Sequence, residues 1–230
     1  MCGRFVSITG TDGLVKFFTI DDRQTEDLPA NVNVAPTEQV YAVAEYKQRR
    51  TLVSFTWGLV PHWAESRKVG SRFINARADT VARKPAFAAA FSSKRCLIPA
   101  DGFYEWRRNP DGTKTPHFIA AASGEPLAFA GLWAGWKDRK DPAAPILRTC
   151  AIITTEANQQ VLPLHDRMPV VLASEHWDEW LDRDNSDTAA LRSLLTPARD
   201  DYLTIRPVST AVNDARNKDL DVLALSEPGV

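Results

Sequence analysis

The segment Cys96-Leu97-Ile98-Pro99-Ala100-Asp101-Gly102-Phe103-Tyr104-Glu105-Trp106 shows the pattern on which most of this chain is built. Its apolar and aromatic runs, 96–99 and 102–106, favour two short β-strands. Such runs recur along the chain without the regular strand and helix alternation of a doubly wound parallel sheet. The other strands that the sequence predicts are 40–44, 51–57, 117–121, 127–133, 148–154, 168–172 and 202–208.

Helices are predicted at only three places in the chain. They are 85–91, 175–181 with Ser174 as N-cap, and 188–195 with Asp187 as N-cap. In the second helix Trp177, Trp180 and Leu181 share one face, which indicates a core role for these side chains. The charged run Lys47-Gln48-Arg49-Arg50 predicts a hairpin turn between two strands. The pattern predicts an α+β protein.

Composition limits the function classes that are open. The chain has 230 residues, 44% of them hydrophobic, and a net charge of -1, which predicts one domain over residues 1–230. It has no long apolar run for a membrane span and no signal-peptide pattern, so a cytoplasmic protein is expected. The low net charge argues against a broad basic surface for duplex DNA, so any nucleic-acid site must be local.

The three cysteines do not form a metal-binding or disulfide pattern. Cys96 and Cys150 lie in apolar runs and are predicted to be buried strand positions, and no cofactor or metal is expected. Cys2 is different, because removal of Met1, which is expected before so small a residue, leaves it with a free α-amine. That amine titrates near 7.7–8.0, well below lysine, and is the better nucleophile toward an aldehyde at neutral pH. The neighbouring thiol can then close on the imine carbon and form a thiazolidine ring. The alternative is that Cys2 is a small buried residue at a strand start.

Six segments of the chain occur in the order of one known family. They are Met1-Cys2-Gly3-Arg4-Phe5, Asn33-Val34-Ala35-Pro36-Thr37, Trp57-Gly58-Leu59-Val60-Pro61-His62-Trp63, Ile74-Asn75-Ala76-Arg77-Ala78-Asp79, Asp101-Gly102-Phe103-Tyr104-Glu105-Trp106 and His165-Asp166-Arg167-Met168-Pro169. Together they resemble the SOS-response-associated peptidase (SRAP) family, also called abasic-site processing proteins. The resemblance implies a compact, mainly antiparallel α+β fold with a barrel-like sheet and a few peripheral helices. It also implies covalent capture of abasic sites in single-stranded DNA through Cys2, which would shield the lesion during the DNA damage response, and an autocatalytic or peptidase-like activity.

Four residues are candidates for the chemistry: Cys2, Asn75, Glu105 and His165. A ring-opened abasic deoxyribose exposes the aldehyde that an amine and a thiol would trap. Glu105 lies among aromatic residues, whose burial of the carboxyl group would raise its pKa toward acid-base use; the alternative is a solvent-facing strand glutamate. His165 is the second candidate proton donor, because imidazole titrates nearest neutrality. Asn75 can orient the amine or a sugar hydroxyl, or instead cap a turn.

Recognition of DNA is assigned to arginines and tryptophans. Arg4, Arg77 and Arg167 each follow a candidate catalytic residue by two positions, which would place each pair on one strand face and the guanidinium near flanking phosphates. The flat rings of the tryptophans are candidates for stacking on unpaired bases. Those rings belong to Trp57, Trp63 and Trp106, and of these Trp57, which lies in a predicted strand, is the one expected to be in the core.

The expected partner is single-stranded DNA that contains abasic sites. The protein is expected to be a monomer that associates with the nucleoid when bound to DNA, and the replication machinery is a further candidate partner.

Two other functions remain open at this stage. Class II glutamine amidotransferases and related N-terminal-nucleophile hydrolases also begin Cys-Gly after methionine loss, although the chain has no Asn-Gly segment for their oxyanion hole. The third is single-stranded DNA binding without covalent chemistry. Asn213 and Asn217 match the family pattern, yet the sequence gives them no physical role.

Overall fold

The computed structural model describes residues 2–224, which form two β-sheets with short helices around them. The larger sheet has the strand order β12-β11-β10-β7-β4-β5-β2, and β6 pairs with β11. The smaller sheet has the order β13-β9-β8-β1-β3. The strands are β1 Phe5–Ser7, β2 Asp22–Arg23, β3 Asn31–Val34, β4 Gln39–Tyr46, β5 Arg49–Trp57, β6 Asn75–Arg77, β7 Arg95–Ala100, β8 Gly102–Arg108, β9 Lys114–Ala121, β10 Leu127–Trp136, β11 Leu147–Glu156, β12 Arg167–Pro169 and β13 Leu203–Pro207.

The larger sheet closes on itself. Its strands β11, β10, β7, β4 and β5 are neighbours in that order, and a short parallel pairing joins β5 back to β11 at Thr56–Thr149 and Trp57–Cys150. Closure leaves one face of these strands inside a barrel, where Cys96, Cys150 and Trp57 are fully buried. The predicted barrel-like, mainly antiparallel sheet and the buried positions of Cys96 and Cys150 are confirmed.

The smaller sheet packs against the barrel through aromatic contacts. The ring centroids of Phe5 and Trp57 are 5.1 Å apart in an edge-to-face arrangement, and those of Phe103 and Phe129 are 5.9 Å apart. Such pairs stabilise a core beyond the area that they bury. Because Phe5 and Phe103 come from the neighbouring strands β1 and β8, the start of the chain is fixed against the barrel.

The α-helices cover the outer face of the larger sheet. The α-helices are α1 Thr11–Phe18, α2 Ala88–Ser93, α3 Trp177–Leu181 and α4 Thr188–Ser193. Short 3-10 helices span Arg67–Arg72, Ser174–His176, Asp200–Tyr202, Thr210–Asn213 and Leu220–Leu223. No helix among the described residues is both long and apolar enough to span a membrane.

The helix predictions were partly right. Trp177, Trp180 and Leu181 are buried as expected, and the Asp187 carboxylate accepts hydrogen bonds from the N–H groups of Ala189 and Ala190. Ser174 does not cap α3, because it is the first residue of a 3-10 turn that precedes the helix.

Two further helix predictions were incomplete. The helix predicted at 85–91 begins only at Ala88, and α1 was not predicted.

The predicted hairpin between β4 and β5 is confirmed, with a tighter turn than expected. Its two central residues are Lys47 and Gln48, with φ values of 52° and 61°. Positive φ at both positions gives the twist that a two-residue hairpin requires. Arg49 and Arg50 therefore belong to β5 and not to the turn. The short strands β1, β2, β3 and β6 were not predicted.

Candidate active site

The chain start runs beside β8, which brings Cys2 into the interior. Phe5 of β1 pairs with Phe103 of β8. The N–H of the next β8 residue, Tyr104, donates to the carbonyl of Arg4 at 3.1 Å, so the chain stays beside β8 before β1 begins. Cys2 is fully buried, and its Sγ lies 3.8 Å from the same Arg4 carbonyl. Removal of Met1 remains an expectation, since that residue lies outside the described part of the chain.

Strand β6 brings Asn75 to Cys2. It pairs in parallel with β11, with Asn75 beside Ile152. The side-chain Nδ2 of Asn75 donates a hydrogen bond of 2.8 Å to the carbonyl of Cys2. Its Oδ1 is buried and has no hydrogen-bond partner among residues 2–224. An amide in this position has one group holding the chain start and one acceptor available for a bound molecule.

Glu105 is buried in β8 and does not face solvent. Its side chain is 3% exposed, so the alternative of a solvent-facing strand glutamate is excluded. Burial raises the pKa of the Glu105 carboxyl group, while the nearby His165 acts in the opposite direction. Desolvation disfavours the charged carboxylate, so the group keeps its proton to a higher pH than an ordinary glutamate.

The Cys2 thiol lies in the same environment. Burial raises its pKa strongly, and the negative charge of Glu105 adds to the shift. The thiol is therefore protonated at neutral pH and needs a proton acceptor before it can act as a nucleophile. The electrostatic contacts of Glu105 with Cys2 and with His165 bring candidate catalytic residues from three distant segments together.

The His165 ring is held by two contacts at Nδ1. This nitrogen lies 3.0 Å from the N–H of Arg167 and 2.7 Å from Oδ1 of Asp166. The first contact needs a bare Nδ1 and the second an Nδ1 that carries a hydrogen, so each tautomer of the imidazole has a neighbour that supports it.

Two of the three predicted arginines lie together on one flank of this cluster. Arg77 and Arg167 line a cleft of about 730 Å³. Arg167 donates through Nη2 to the Thr154 carbonyl at 2.6 Å and to its hydroxyl at 3.1 Å. Arg77 forms a two-point ion pair with Asp79, at 3.0 and 2.6 Å, which holds the pKa of Asp79 at about 2.

Arg4 lies on the other flank, which corrects the argument from strand alternation. The regular strand β1 begins only at Phe5, so Cys2 and Arg4 do not share a face. Arg4 instead donates to Oδ1 of Asn33 at 2.8 Å and to the carbonyl of Val212 at 3.0 Å. Its guanidinium is held by the C-terminal part of the chain.

The three tryptophans proposed for stacking have different surroundings. Trp57 is fully buried and donates from Nε1 to the Ile74 carbonyl at 3.0 Å, so its proposed stacking on DNA is wrong for this structure. Trp106 is half-buried, with Nε1 donating to Oδ1 of Asn213 at 2.7 Å. Trp63 is 45% exposed. Of these three tryptophans, Trp63 and Trp106 present ring surface to solvent.

Comparison with known proteins gives this arrangement a family. The sequence model described as SOS response associated peptidase (SRAP) matches residues 1–215. The chain belongs to this family. It is 41% identical over 224 residues to the abasic site processing protein YoaM of Bacillus subtilis, covering 97% of each chain. It is 30% identical to the abasic site processing protein YedK of Escherichia coli, covering 97% of this chain and 99% of that protein.

Family resemblance extends to a vertebrate protein and to solved structures. The abasic site processing protein HMCES of Xenopus tropicalis is 28% identical over 97% of this chain and 78% of that protein. A crystal structure from Bacteroides thetaiotaomicron, 24% identical, has a TM-score of 0.85 over 98% of this chain and all of that one, which shows a shared fold. The family assignment confirms the resemblance and does not place the chain among the glutamine amidotransferases.

Sequence reasoning missed residues that support the site without touching Cys2. Thr154 fixes Arg167, and Asp166 faces His165. Asn33 is fully buried and donates from Nδ2 to backbone carbonyls of the C-terminal segment. Asp166 and Asn33 lie in segments that match the family pattern, which was the available signal, whereas Thr154 lies in an apolar strand that gives none.

Proposed function

We propose that this protein captures abasic sites in single-stranded DNA by forming a thiazolidine with Cys2. One observation carries the proposal: Cys2, Asn75, Glu105 and His165, which are far apart in the chain, meet in one cluster. In this cluster Cys2 and Glu105 are buried, whereas Asn75 and His165 are partly exposed. Membership of a family whose relatives are named abasic site processing proteins supports the same activity.

The reaction balances without any cofactor. After Met1 is removed, the Cys2 amine attacks the C1′ aldehyde of the opened sugar, and loss of one water gives an imine. The thiol then adds to the imine carbon, its proton passes to the nitrogen, and the five-membered ring closes. The product joins protein and DNA through one carbon that bears both nitrogen and sulfur.

Glu105 is the proposed acid and base for these proton transfers. Its raised pKa lets it donate a proton as water leaves the carbinolamine and accept one as the Cys2 thiol adds. His165 is assigned to opening the sugar and to release of the adduct, because it lies near Glu105 and its imidazole is held by Arg167 and Asp166. Asn75 holds the Cys2 carbonyl and offers its buried Oδ1 to the amine or to a sugar hydroxyl.

Contacts to DNA are assigned to the two flanks of the cluster. Arg77 and Arg167 in the cleft would bind phosphates on one side, and Arg4 on the other. Trp63 and Trp106 would stack on neighbouring bases, each worth roughly 1–3 kcal/mol where it does so.

A denaturing gel tests the proposal with two matched controls. Single-stranded DNA with an abasic site should give a heat-stable adduct, whereas an oligonucleotide with a tetrahydrofuran in place of that sugar should give none, because it has no aldehyde. Cys2→Ala keeps the amine, so it should form only a reversible imine that borohydride traps. Cys96→Ala removes another fully buried thiol and should still crosslink. A heat-stable adduct of Cys2→Ala without reductant would exclude the thiazolidine.

A further inference from the structure

The C-terminal segment 212–218, here called the strap, is tied to the outer face of the smaller sheet. Nδ2 of Asn33 lies 3.2, 3.0 and 3.0 Å from the carbonyl oxygens of Val212, Asp214 and Asn217, so its two N–H donors are shared among three acceptors. Asn33 is fully buried, so these bonds form away from water, where losing them is costly. This gives the strap a defined position.

The end of the strap is fixed by an ion pair. Lys218 Nζ lies 2.7 Å from Oε1 of Glu38 and 2.7 Å from the carbonyl of Asn33. Val212 packs in a small apolar cluster with Val6 and Tyr104. The strap is therefore an integral part of this face of the sheet.

The strap contacts two residues that the proposed function places at the DNA. The Trp106 indole donates from Nε1 to Oδ1 of Asn213 at 2.7 Å. Arg4 donates to the carbonyls of Val212 and Asn213 at 3.0 and 3.5 Å. The indole has only one N–H, so this single bond to Asn213 is the polar contact that can fix the rotation of the ring.

Strand geometry separates these residues from the catalytic cluster. Along β8, Phe103 and Glu105 face the barrel, while Tyr104 and Trp106 face the strap, since successive side chains alternate. The ring centroids of Tyr104 and Trp106 are 6.4 Å apart, so Tyr104 supports one side of the indole. Trp106 is half-buried, and its remaining surface is open to a ligand.

From these contacts we infer that Asn213 is a positioning residue for DNA binding, which orients the Trp106 ring for base stacking while the strap backbone orients Arg4. The inference rests on the proposed function, since it requires Trp106 to contact DNA. It assigns a role to a residue for which the sequence alone gave none. If the strap were purely structural, it would support the fold but would not affect the stacking of the Trp106 ring on a base.

A double-mutant cycle on non-covalent binding tests the inference. Affinity for an unmodified single-stranded oligonucleotide should fall at least about threefold in Asn213→Ala, as part of a stacking contact is lost. Trp106→Phe keeps an aromatic face but has no N–H, so adding Asn213→Ala to it should cause no further loss. Asn185→Ala is the matched control, because Asn185 lies in a loop beside α4 and its side chain, within residues 2–224, accepts a single hydrogen bond, from the Asp187 N–H. Losses that add independently would overturn the inference.

A measurement without DNA separates this inference from the proposed function. In a ¹⁵N spectrum the Trp106 indole signal, identified by its absence in Trp106→Phe, should move in Asn213→Ala and stay near its wild-type position in Asn213→Asp, which keeps a side-chain oxygen. The Asp variant keeps the test informative if the Ala variant fails to fold. A wild type that does not bind single-stranded DNA contradicts the proposed function. A wild type that binds and crosslinks while Asn213→Ala behaves identically, with an unmoved indole signal, contradicts only the role of Asn213.

Discussion

Asn75 holds Cys2 by its backbone, through a hydrogen bond of 2.8 Å from the amide Nδ2 to the carbonyl of Cys2. This carbonyl belongs to the residue whose amine and thiol are the proposed reactive groups. The bond therefore fixes the position of both groups relative to Glu105. It also uses the donor end of the amide, which leaves the buried Oδ1 without a hydrogen-bond partner among residues 2–224.

Asn75→Ala should slow crosslinking by roughly 10-fold or more, because misplacement of reacting groups raises the barrier. Single-turnover crosslinking to abasic single-stranded DNA measures the rate. Asn185→Ala serves as the control, since it removes an asparagine side chain outside the cluster. An Asn75→Ala rate equal to that of the control would show that Cys2 does not depend on this bond.

Glu105→Gln should slow crosslinking by roughly 100-fold or more, the usual loss when a general acid-base group is removed. Glutamine keeps the size of the side chain and its hydrogen bonds but cannot exchange a proton.

His165→Ala should act mainly on sugar opening and on release of the adduct.

Glu105→Gln should also change the pH dependence of the crosslinking rate. The free amine increases as pH rises through about 7.7–8.0, whereas the acid form of Glu105 decreases as pH rises through its raised pKa. The wild-type rate should therefore pass through a maximum between pH 5 and 9. In Glu105→Gln the rate should only rise with pH, as the free amine increases. If this variant instead crosslinks at the wild-type rate across the whole range, Glu105 is a structural residue.

Asp79→Asn should strengthen non-covalent binding of single-stranded DNA by a few-fold. The Asp79 carboxylate competes with phosphate for Arg77, and with a pKa of about 2 it stays charged throughout the neutral range. Asp201→Asn is a closely matched control, because Asp201 pairs with Arg199 in the same two-point geometry outside the cleft. Equal effects of the two substitutions would contradict a role of Arg77 in phosphate binding.

The salt dependence of binding should identify the phosphate contacts. Each contact to a single strand contributes roughly -0.7 to the slope of log affinity against log salt concentration. Arg77→Ala and Arg167→Ala should each flatten the slope by about that amount, and Arg199→Ala should not. Unchanged slopes in both cleft variants, with duplex DNA bound as tightly as single strands, would place the DNA elsewhere.

Short-range sequence patterns predicted much of the fold. Apolar runs located β7, β8, β10 and β11, and the charged run after 46 located the β4–β5 turn. The strand β6 has only three residues and is held by its neighbour β11, so its own sequence carries no strand signal. Closure of the barrel depends on a pairing between residues far apart in the chain, which local propensity does not determine.

In the candidate site, too, the sequence predicted the chemical type of the residues but not their packing. Glu105 and His165 were found from chemical type and family pattern, and the burial that distinguishes Glu105 from a surface residue became visible only in the fold. Trp57 has the same chemical type as Trp106, yet packing places it inside the barrel. Arg4 was misplaced because alternation was applied where the backbone is not a regular strand.

The mass of the intact protein after incubation with an abasic single-stranded oligonucleotide tests the central claim most directly. The account predicts one product whose mass equals the protein without Met1 plus the oligonucleotide minus one water, stable to heat without reductant. Cys2→Ala should give an adduct only after borohydride treatment, with the mass of the variant protein without Met1 plus the oligonucleotide minus one water, increased by the two hydrogens of reduction. A wild-type adduct that retains Met1, or the absence of any adduct from protein that has lost Met1, would contradict capture of the aldehyde by the Cys2 amine and thiol.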